Sequence, residues 1–446
     1  MKSGFYKVCI NPPCGTPILG YYKKRFTKGI ADDIFVRACV FDDGEKKAAV
    51  ITLDVCMVPQ KYFDKMKEVI CAATDIEARG IFITCSHTHT GPLLGEDFAS
   101  DLVSDPEYDE FFISCVKDCV VNALLDLKET EVEIAKSEAK GISFVRRFRM
   151  KDGSVATNPG VNNPAIDHPL GQPNETVKII KLVRLGGEDI LLVNFGTHPD
   201  TVGGDYISAD YIGYVCSILE GAIKNTNCMF LLGAQGDVNH VNVAPTKVES
   251  AISQIDFDSV PRGLKHTEYM GRVIAGSVLS VYSLTEKVNA DKISFIDKTV
   301  YFPSNKEPDR LEEAKHITEL YDAGRDNELP YKEMELTTVV AEARRIVALE
   351  ENGPESFPFH LSAISIGEIV FAGLGGEPFT QIGERICQNS PFKETVISVL
   401  TNNEGGYVPT KSAYDEGGYE ARSSAFKRGC DDIVVEGMLE ILNKIK

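Results

Sequence analysis

The chain has 446 residues, 43% hydrophobic and 25% charged, the balance of a globular protein rather than a disordered or fibrous one. Its 66 Asp and Glu against 47 Lys and Arg leave a net charge of −19, which repels a phosphate backbone and argues against nucleic acid as a partner. Apolar runs reach only about eight residues, too short for a transmembrane span, and the opening MKSGFYKVCINPPCGTP lacks the apolar core of a secretory signal.

Taken in chain order, the first informative run is GIFITC, which stops at Ser86-His87-Thr88-His89-Thr90-Gly91-Pro92. EYDEFFISCVKDCVVNALLDL then reads as a helix, and SFVRRFRMKDGSVATNPGVNNPAIDHPLGQPNET, dense in Pro, Gly and Asn, as a long structured loop. ILLVNF ends at Gly196-Thr197-His198-Pro199-Asp200, a helix-like ADYIGYVCSILEGAIKN follows, and CMFLL ends at GAQGDVNH. Residues 303–358 are charged and helical in period with Pro and Gly at both ends, and read as a helical insertion or a lid. HLSAISIGEIVFAGLGGE reads as a hairpin closing on Glu377, and VISVL leads into TNNEGGY and Tyr407. Short runs rich in Val, Ile and Phe without polar alternation fit strands buried on both faces. Their alternation with helices predicts an α/β fold, mixed β-sheet flanked by helix layers. Twelve cysteines occur without a Cys-x-x-Cys pair, and Cys56, Cys85 and Cys216 sit in apolar runs as small hydrophobes. A cytoplasmic enzyme is the expectation.

In α/β sheets ligands bind beyond the carboxyl ends of strands, and all five strand ends carry a His, Glu or Tyr within a few residues. In an extended chain, side chains two apart share a face, so His87 and His89 can enter one pocket. Two imidazoles so placed suit zinc; the alternative has one as ligand or base and the other in a core hydrogen bond. His198 is the natural third imidazole, although alone it reads as a loop histidine. Asp210 precedes an apolar helix and fits an N-cap. Glu377 follows two glycines and completes a two-imidazole, one-carboxylate set, or else caps the FTQIGERI helix. Tyr407 is placed to donate to an oxyanion or join the metal, or is a buried structural phenol. Asp237 and His240, in the Gly-rich GAQGDVNH loop, are candidates to orient a ligand imidazole or touch substrate, against the simpler reading of a tight turn.

Taken together and in order, these loops resemble the neutral/alkaline non-lysosomal ceramidase family. The resemblance rests on Ile10-Asn11-Pro12-Pro13, Gly15-Thr16-Pro17, SHTHTGP, Ile207-Ser208-Ala209-Asp210, Gly213-Tyr214, GDVN, GGEPFT and GGYVPT, and spans nearly the whole chain. It implies one catalytic domain over residues 1–446 and one zinc per chain, held by His87, His198, Glu377 and Tyr407. It implies a proton-handling or substrate-binding role for His89, and an essential arginine in Val145-Arg146-Arg147-Phe148, for which Arg147 is taken. The sequence departs from the family where Asn239 stands in place of a serine and His240 follows, so Asp237, Asn239 and His240 are read as substrate-binding positions. The expectation is a stand-alone, cytoplasmic version of the catalytic domain, without the C-terminal immunoglobulin-like domain and signal of the family. The implied activity is zinc-dependent hydrolysis of a small-molecule or lipid-like N-acyl amide. A His-x-His amidohydrolase, a two-metal phosphoesterase recruiting Asp237 or His240, and a non-catalytic binding protein are the competing readings; no Gly-x-Ser-x-Gly elbow supports a serine hydrolase.

Overall fold

The computed structural model describes residues 1–97, 100–403 and 405–446. Alternation of side chains along the strands sets its layering. In the strand Ile81–Cys85 all five residues are buried. Phe82 joins a core with Phe371, Ile364 and Val396 of a second sheet, whereas Ile83 and Cys85 face a core containing Phe63, Met66, Phe112 and Val116 of two helices. The expectation of sheet between helix layers therefore resolves into two sheets stacked on each other, with helices outside.

The larger sheet has nine strands. Its path runs Thr226–Leu232, Asp189–Phe195, Thr176–Arg184, Lys128–Glu138, Lys2–Cys9, Phe35–Asp42, Lys47–Leu53 and Ile81–Cys85, with Glu286–Val288 pairing off Lys128–Glu138. Pairing is parallel at its two ends and antiparallel between. The smaller sheet orders Ile293–Pro303, Ser356–Ile366, Ile369–Leu374 and Glu394–Ser398. Helices Asp210–Ala222 and Leu264–Val281 cover part of the larger sheet through Tyr211, Val215, Ile274 and Val278, and Cys430–Ile445 packs on the smaller one through Val434, Met438 and Ile441.

Residues 303–358, read as an insertion or lid, contain two helices, Leu311–Asp322 and Glu333–Asn352, between neighbouring strands of the smaller sheet. They pack together through Ala314, Ile317, Val340 and Ile346. Glu342 of the second helix binds Arg422 at 2.6 Å, tying the pair to the short helix Tyr419–Ser423.

The site is positioned by a stitch between the end strands of the larger sheet. Val399 N–H donates to Leu232 O at 3.0 Å, and Cys85 N–H to Leu400 O at 3.3 Å. This brings the loops after Cys85, Phe195, Leu232, Leu374 and Ser398 to one end of the molecule, although their strands are scattered through two sheets.

Candidate metal centre

After Cys85 the chain stays anchored to its neighbour: Ser86 N–H donates to Leu53 O at 2.8 Å and His87 N–H to Val55 O at 2.9 Å. His87 then adopts φ of 64°, an uncommon conformation for a residue with a Cβ, retained where the surroundings fix it. His87 and His89 do enter one pocket, with ring centroids 4.9 Å apart. The cause is this backbone turn, not the extended geometry expected from their spacing.

His198 is brought to them by the loop after Phe195, and that loop is pinned by Asp210. The Asp210 carboxylate accepts from Thr201 N–H at 2.9 Å, Val202 N–H at 3.1 Å and Thr201 Oγ1 at 2.5 Å. Asp210 opens its helix at φ of 57° and is an anchor for the His198 loop rather than the simple N-cap expected. Glu377 arrives on a two-residue strand, Glu377–Pro378, paired in parallel with Tyr407–Val408 so that Glu377 and Tyr407 are register partners. Gly376 allows this approach: it has φ of 65°, and a Cβ there would lie 2.4 Å from Gly406 O. The alternative role for Glu377, capping the next helix, is filled by Asp237, which accepts from Thr380 N–H at 2.7 Å and Thr380 Oγ1 at 2.8 Å.

Ligand atoms of His87, His198 and Glu377 lie within 4.8 Å of one another, and all three residues are buried. His87 Nε2 is 3.0 Å from Glu377 Oε2. Both imidazoles are oriented from behind. His87 Nδ1 meets Cys56 O at 2.9 Å, and His198 Nδ1 bonds Gln235 Oε1. Each of those oxygens can only accept, so each Nδ1 carries a hydrogen and each Nε2 is the atom that would meet a cation. Burial opposes a charged His87, but Glu377 raises its pKa well above that of an ordinary imidazole, so there a cation would displace the Nε2 proton. Gln235 also donates from Nε2 to Glu377 Oε2 at 3.2 Å, coupling two of the three donors. This donor set, a carboxylate and two imidazole Nε2 atoms from three loops, fits a divalent transition metal such as zinc. Cys56, His87 and His89 form a second convergent group sharing His87.

His89 sits beside the set, its Nε2 3.0 Å from His198 Nε2 and 3.4 Å from His87 Nε2. Burial lowers its pKa to about 3, outweighing attraction to Asp200, so it is neutral at pH 7. Its Nδ1 is 3.8 Å from Asp200 Oδ1. Arg262 grips Asp200 through Nε at 2.9 Å and Nη2 at 2.6 Å, and Tyr21 donates its hydroxyl to the same carboxylate. Burial opposes ionisation of Asp200, but the guanidinium holds its carboxyl well below the ordinary range. For Glu377, too, burial is overcome, here by His87, and its pKa is lowered.

A cavity of about 380 Å³ opens on this cluster, lined by His87, His89, Glu377 and Tyr407 together with Tyr22, Cys56, Met57 and Tyr419. Tyr407 is brought to it as expected. Burial raises the Tyr407 pKa well above that of an ordinary phenol despite the nearby Arg146, so the hydroxyl is protonated and able to donate.

The choice of Arg147 is corrected. Adjacent residues of an extended segment point to opposite sides, and it is Arg146 that faces Tyr407, with its guanidinium carbon 5.3 Å from the ring centroid. Arg146 donates to Gly236 O at 2.8 Å and pairs with Glu420 at 2.6 Å, while Arg147 binds Glu416 at 3.0 Å and Gly417 O at 2.9 Å. The three residues read as substrate-binding are also placed elsewhere. Asp237 is taken up by Thr380. Asn239 is held between Asn158 Oδ1 at 2.9 Å and Val241 N–H at 3.0 Å. His240 binds Pro261 O at 2.6 Å and lines a different cavity. Gln235, Asp200, Arg262 and Tyr21 went unread in this role, since single polar residues in loops leave no periodic trace.

No family model matches the sequence. Over its full length the chain superposes on the neutral ceramidase from Pseudomonas aeruginosa with a TM-score of 0.72 and 14% identity, covering 75% of that chain. The fold is that of the neutral ceramidases. A ceramidase structure described as complexed with C2 gives the same coverage, with a TM-score of 0.71 and 13% identity. The ceramidase-like architecture expected from the loop motifs is therefore present across the whole chain, at a level of identity that speaks for fold alone.

Proposed function

We propose that the protein is a zinc-dependent hydrolase of N-acyl amides, acting on a lipid-like amide in the manner of a ceramidase. The observation that carries this reading is the convergence of His87, His198 and Glu377 beside a neutral His89, at a cavity that His87, His89 and Glu377 line together with Tyr22, Tyr407 and Tyr419. Zinc held by those three, with Tyr407 alongside, supplies Lewis-acid polarisation of a carbonyl and a lowered pKa for water.

The chain's own groups then have defined tasks. The protonated Tyr407 hydroxyl, which lines the cavity with Arg146 packed against its ring, stabilises the amide oxygen as it gains negative charge. His89, neutral and within reach of the same space, accepts a proton from the attacking water and delivers it to the leaving nitrogen. The ionised Asp200, fixed by Arg262, favours the imidazolium that His89 passes through. Tyr22, Met57 and Tyr419 offer apolar surface to an acyl or alkyl chain, and the −19 net charge disfavours polyanionic substrates. A two-metal phosphoesterase is not supported, because Asp237 and His240, its expected extra ligands, are engaged by Thr380 and Pro261. All twelve cysteines are free, which favours a reducing, cytoplasmic setting. Among the described residues no helix is long and apolar enough to cross a membrane.

The test is hydrolysis of N-acylsphingosines of graded acyl length, with and without chelator. The expected result is amine release that chelation abolishes and added Zn²⁺ restores. Release that survives complete metal removal contradicts the proposal.

A further inference from the structure

The residue that sequence reasoning assigned to the metal pocket, His240, belongs to a second cavity of about 180 Å³. His240 is 1% exposed. Its Nε2 lies 2.6 Å from Pro261 O; a carbonyl only accepts, so Nε2 carries the hydrogen and Nδ1 is a bare acceptor. That Nδ1 is buried without a hydrogen-bond partner. His266, from the first turn of the helix Leu264–Val281, stands against it with ring centroids 5.2 Å apart, and both of its buried ring nitrogens also lack partners. Buried polar atoms are rarely left unsatisfied, and here three of them, on two adjacent rings, line one cavity.

Burial keeps both rings neutral, with pKa values lowered to about 3 for His240 and about 4 for His266. His266 therefore offers one N–H and one lone pair, and His240 one lone pair. The nearby Glu249 carboxylate is already committed, accepting from Thr246 N–H at 2.6 Å and Asn242 Nδ2 at 3.2 Å. No third ligand atom joins the two histidines in a metal-binding group among the described residues. The rest of the wall includes Ile142, Phe144, Val161 and Ile255.

We infer that this cavity is a second binding site, separate from the metal centre, for a neutral apolar molecule bearing one hydroxyl, of phenol size. A hydroxyl is the group that matches: it donates its hydrogen to His240 Nδ1 and accepts from the His266 N–H. A carboxylate has no hydrogen for Nδ1, and an ammonium would leave the His266 N–H unmet and bury an unpaired charge. At the ~30 Å³ a water occupies, the volume holds about six water-sized groups, and covalently joined atoms pack closer than separate waters. The Pro261 carbonyl that fixes His240 precedes Arg262, so one short strand separates this cavity from the group that holds Asp200.

The chain has eight histidines, few enough for selectively labelled imidazole NMR on the full-length, metal-loaded protein. Phenol is expected to shift the His240 and His266 resonances saturably, leaving the exposed His168 and His316 unmoved. Toluene, which lacks the hydroxyl, is expected to bind about tenfold more weakly, the effect of one buried hydrogen bond. His266→Leu is expected to weaken phenol by a similar factor, and the toluene comparison on the unmodified protein stands even if that variant misfolds. Equal affinity for phenol and toluene, no saturable shift, or shifts confined to His87, His89 and His198 would overturn the inference. Zn²⁺ beyond one equivalent moving the His240 and His266 signals would overturn it too, assigning the cavity to a cation. None of these readouts depends on hydrolysis, so the fate of this site and that of the proposed activity are separable.

Discussion

Asp200→Asn is the sharpest probe of the network behind the metal centre. The substitution keeps side-chain shape and removes one charge. Asp200 accepts two guanidinium N–H groups from Arg262 and a hydroxyl from Tyr21; an asparagine amide turns one acceptor into a donor facing a donor. Removing one member of a buried ion pair costs about 3–5 kcal/mol when the other is left alone. Arg262 is not left alone, since it also binds Asp258 at 2.7 and 2.9 Å. The expected loss is therefore smaller, about 2–3 kcal/mol, read as a lower urea midpoint at unchanged slope. Metal content should stay at the unmodified level, because the Asp200 side chain bonds Tyr21 and Arg262 and none of the three ligands, and its one bond to them, from the backbone N–H to His198 O at 3.0 Å, is kept by asparagine. Amide hydrolysis should fall about a hundredfold through kcat, the low end of general acid–base effects. An unfolding free energy within about 0.5 kcal/mol of the unmodified protein's, the range of ordinary surface changes, would refute the buried-pair reasoning. Unchanged kcat would refute the role given to His89.

Other expectations follow from single contacts. Arg146→Lys should lower kcat at least about tenfold with metal retained, because lysine cannot span Gly236 O and Glu420 while facing Tyr407; Arg147→Lys should leave kcat within about twofold, measured in parallel on the same substrate. Gly376→Ala places a Cβ 2.4 Å from Gly406 O at a positive φ, which should cost about 1–3 kcal/mol and, by displacing Glu377, weaken zinc at least about tenfold in a chelator competition. Stability should also fall on acidification below pH 6.5. The unfolded histidines take up protons near pH 6.5 while His240 and His266 in the fold resist until about 3 and about 4, so the unfolded state binds more protons and the stability present above pH 6.5 is lost as pH falls. At pH 5 each contributes about 2 kcal/mol of this loss, and urea titrations showing flat stability from pH 6.5 to 4.5 would contradict that assignment.

The strand ends were legible because buried strands such as Ile81–Cys85 read as unbroken apolar runs that stop at His, Glu and Gly. Lys128–Glu138 and Lys2–Cys9 did not stand out, since they bury only part of their side chains and their apolar residues are interleaved with charged ones. That left the two-sheet stacking unread, although strands and helices alternating in sequence announced α/β. His87, His198 and Glu377 were legible from residue type and position. Gln235 and Asp200 were not, because their roles depend on which loops meet across the stitch at Val399 and Leu400. Arg146 and Arg147 show the limit most plainly: neighbours of identical chemistry, separated only by which side of the chain each leaves.

Metal content, determined by elemental analysis on protein purified without chelators, bears most directly on the central claim. One zinc per chain is predicted for the unmodified protein and a large loss for His198→Ala and Glu377→Gln, each checked for retained fold by circular dichroism. A metal-free unmodified protein, or variants that keep a full equivalent of zinc, would contradict it.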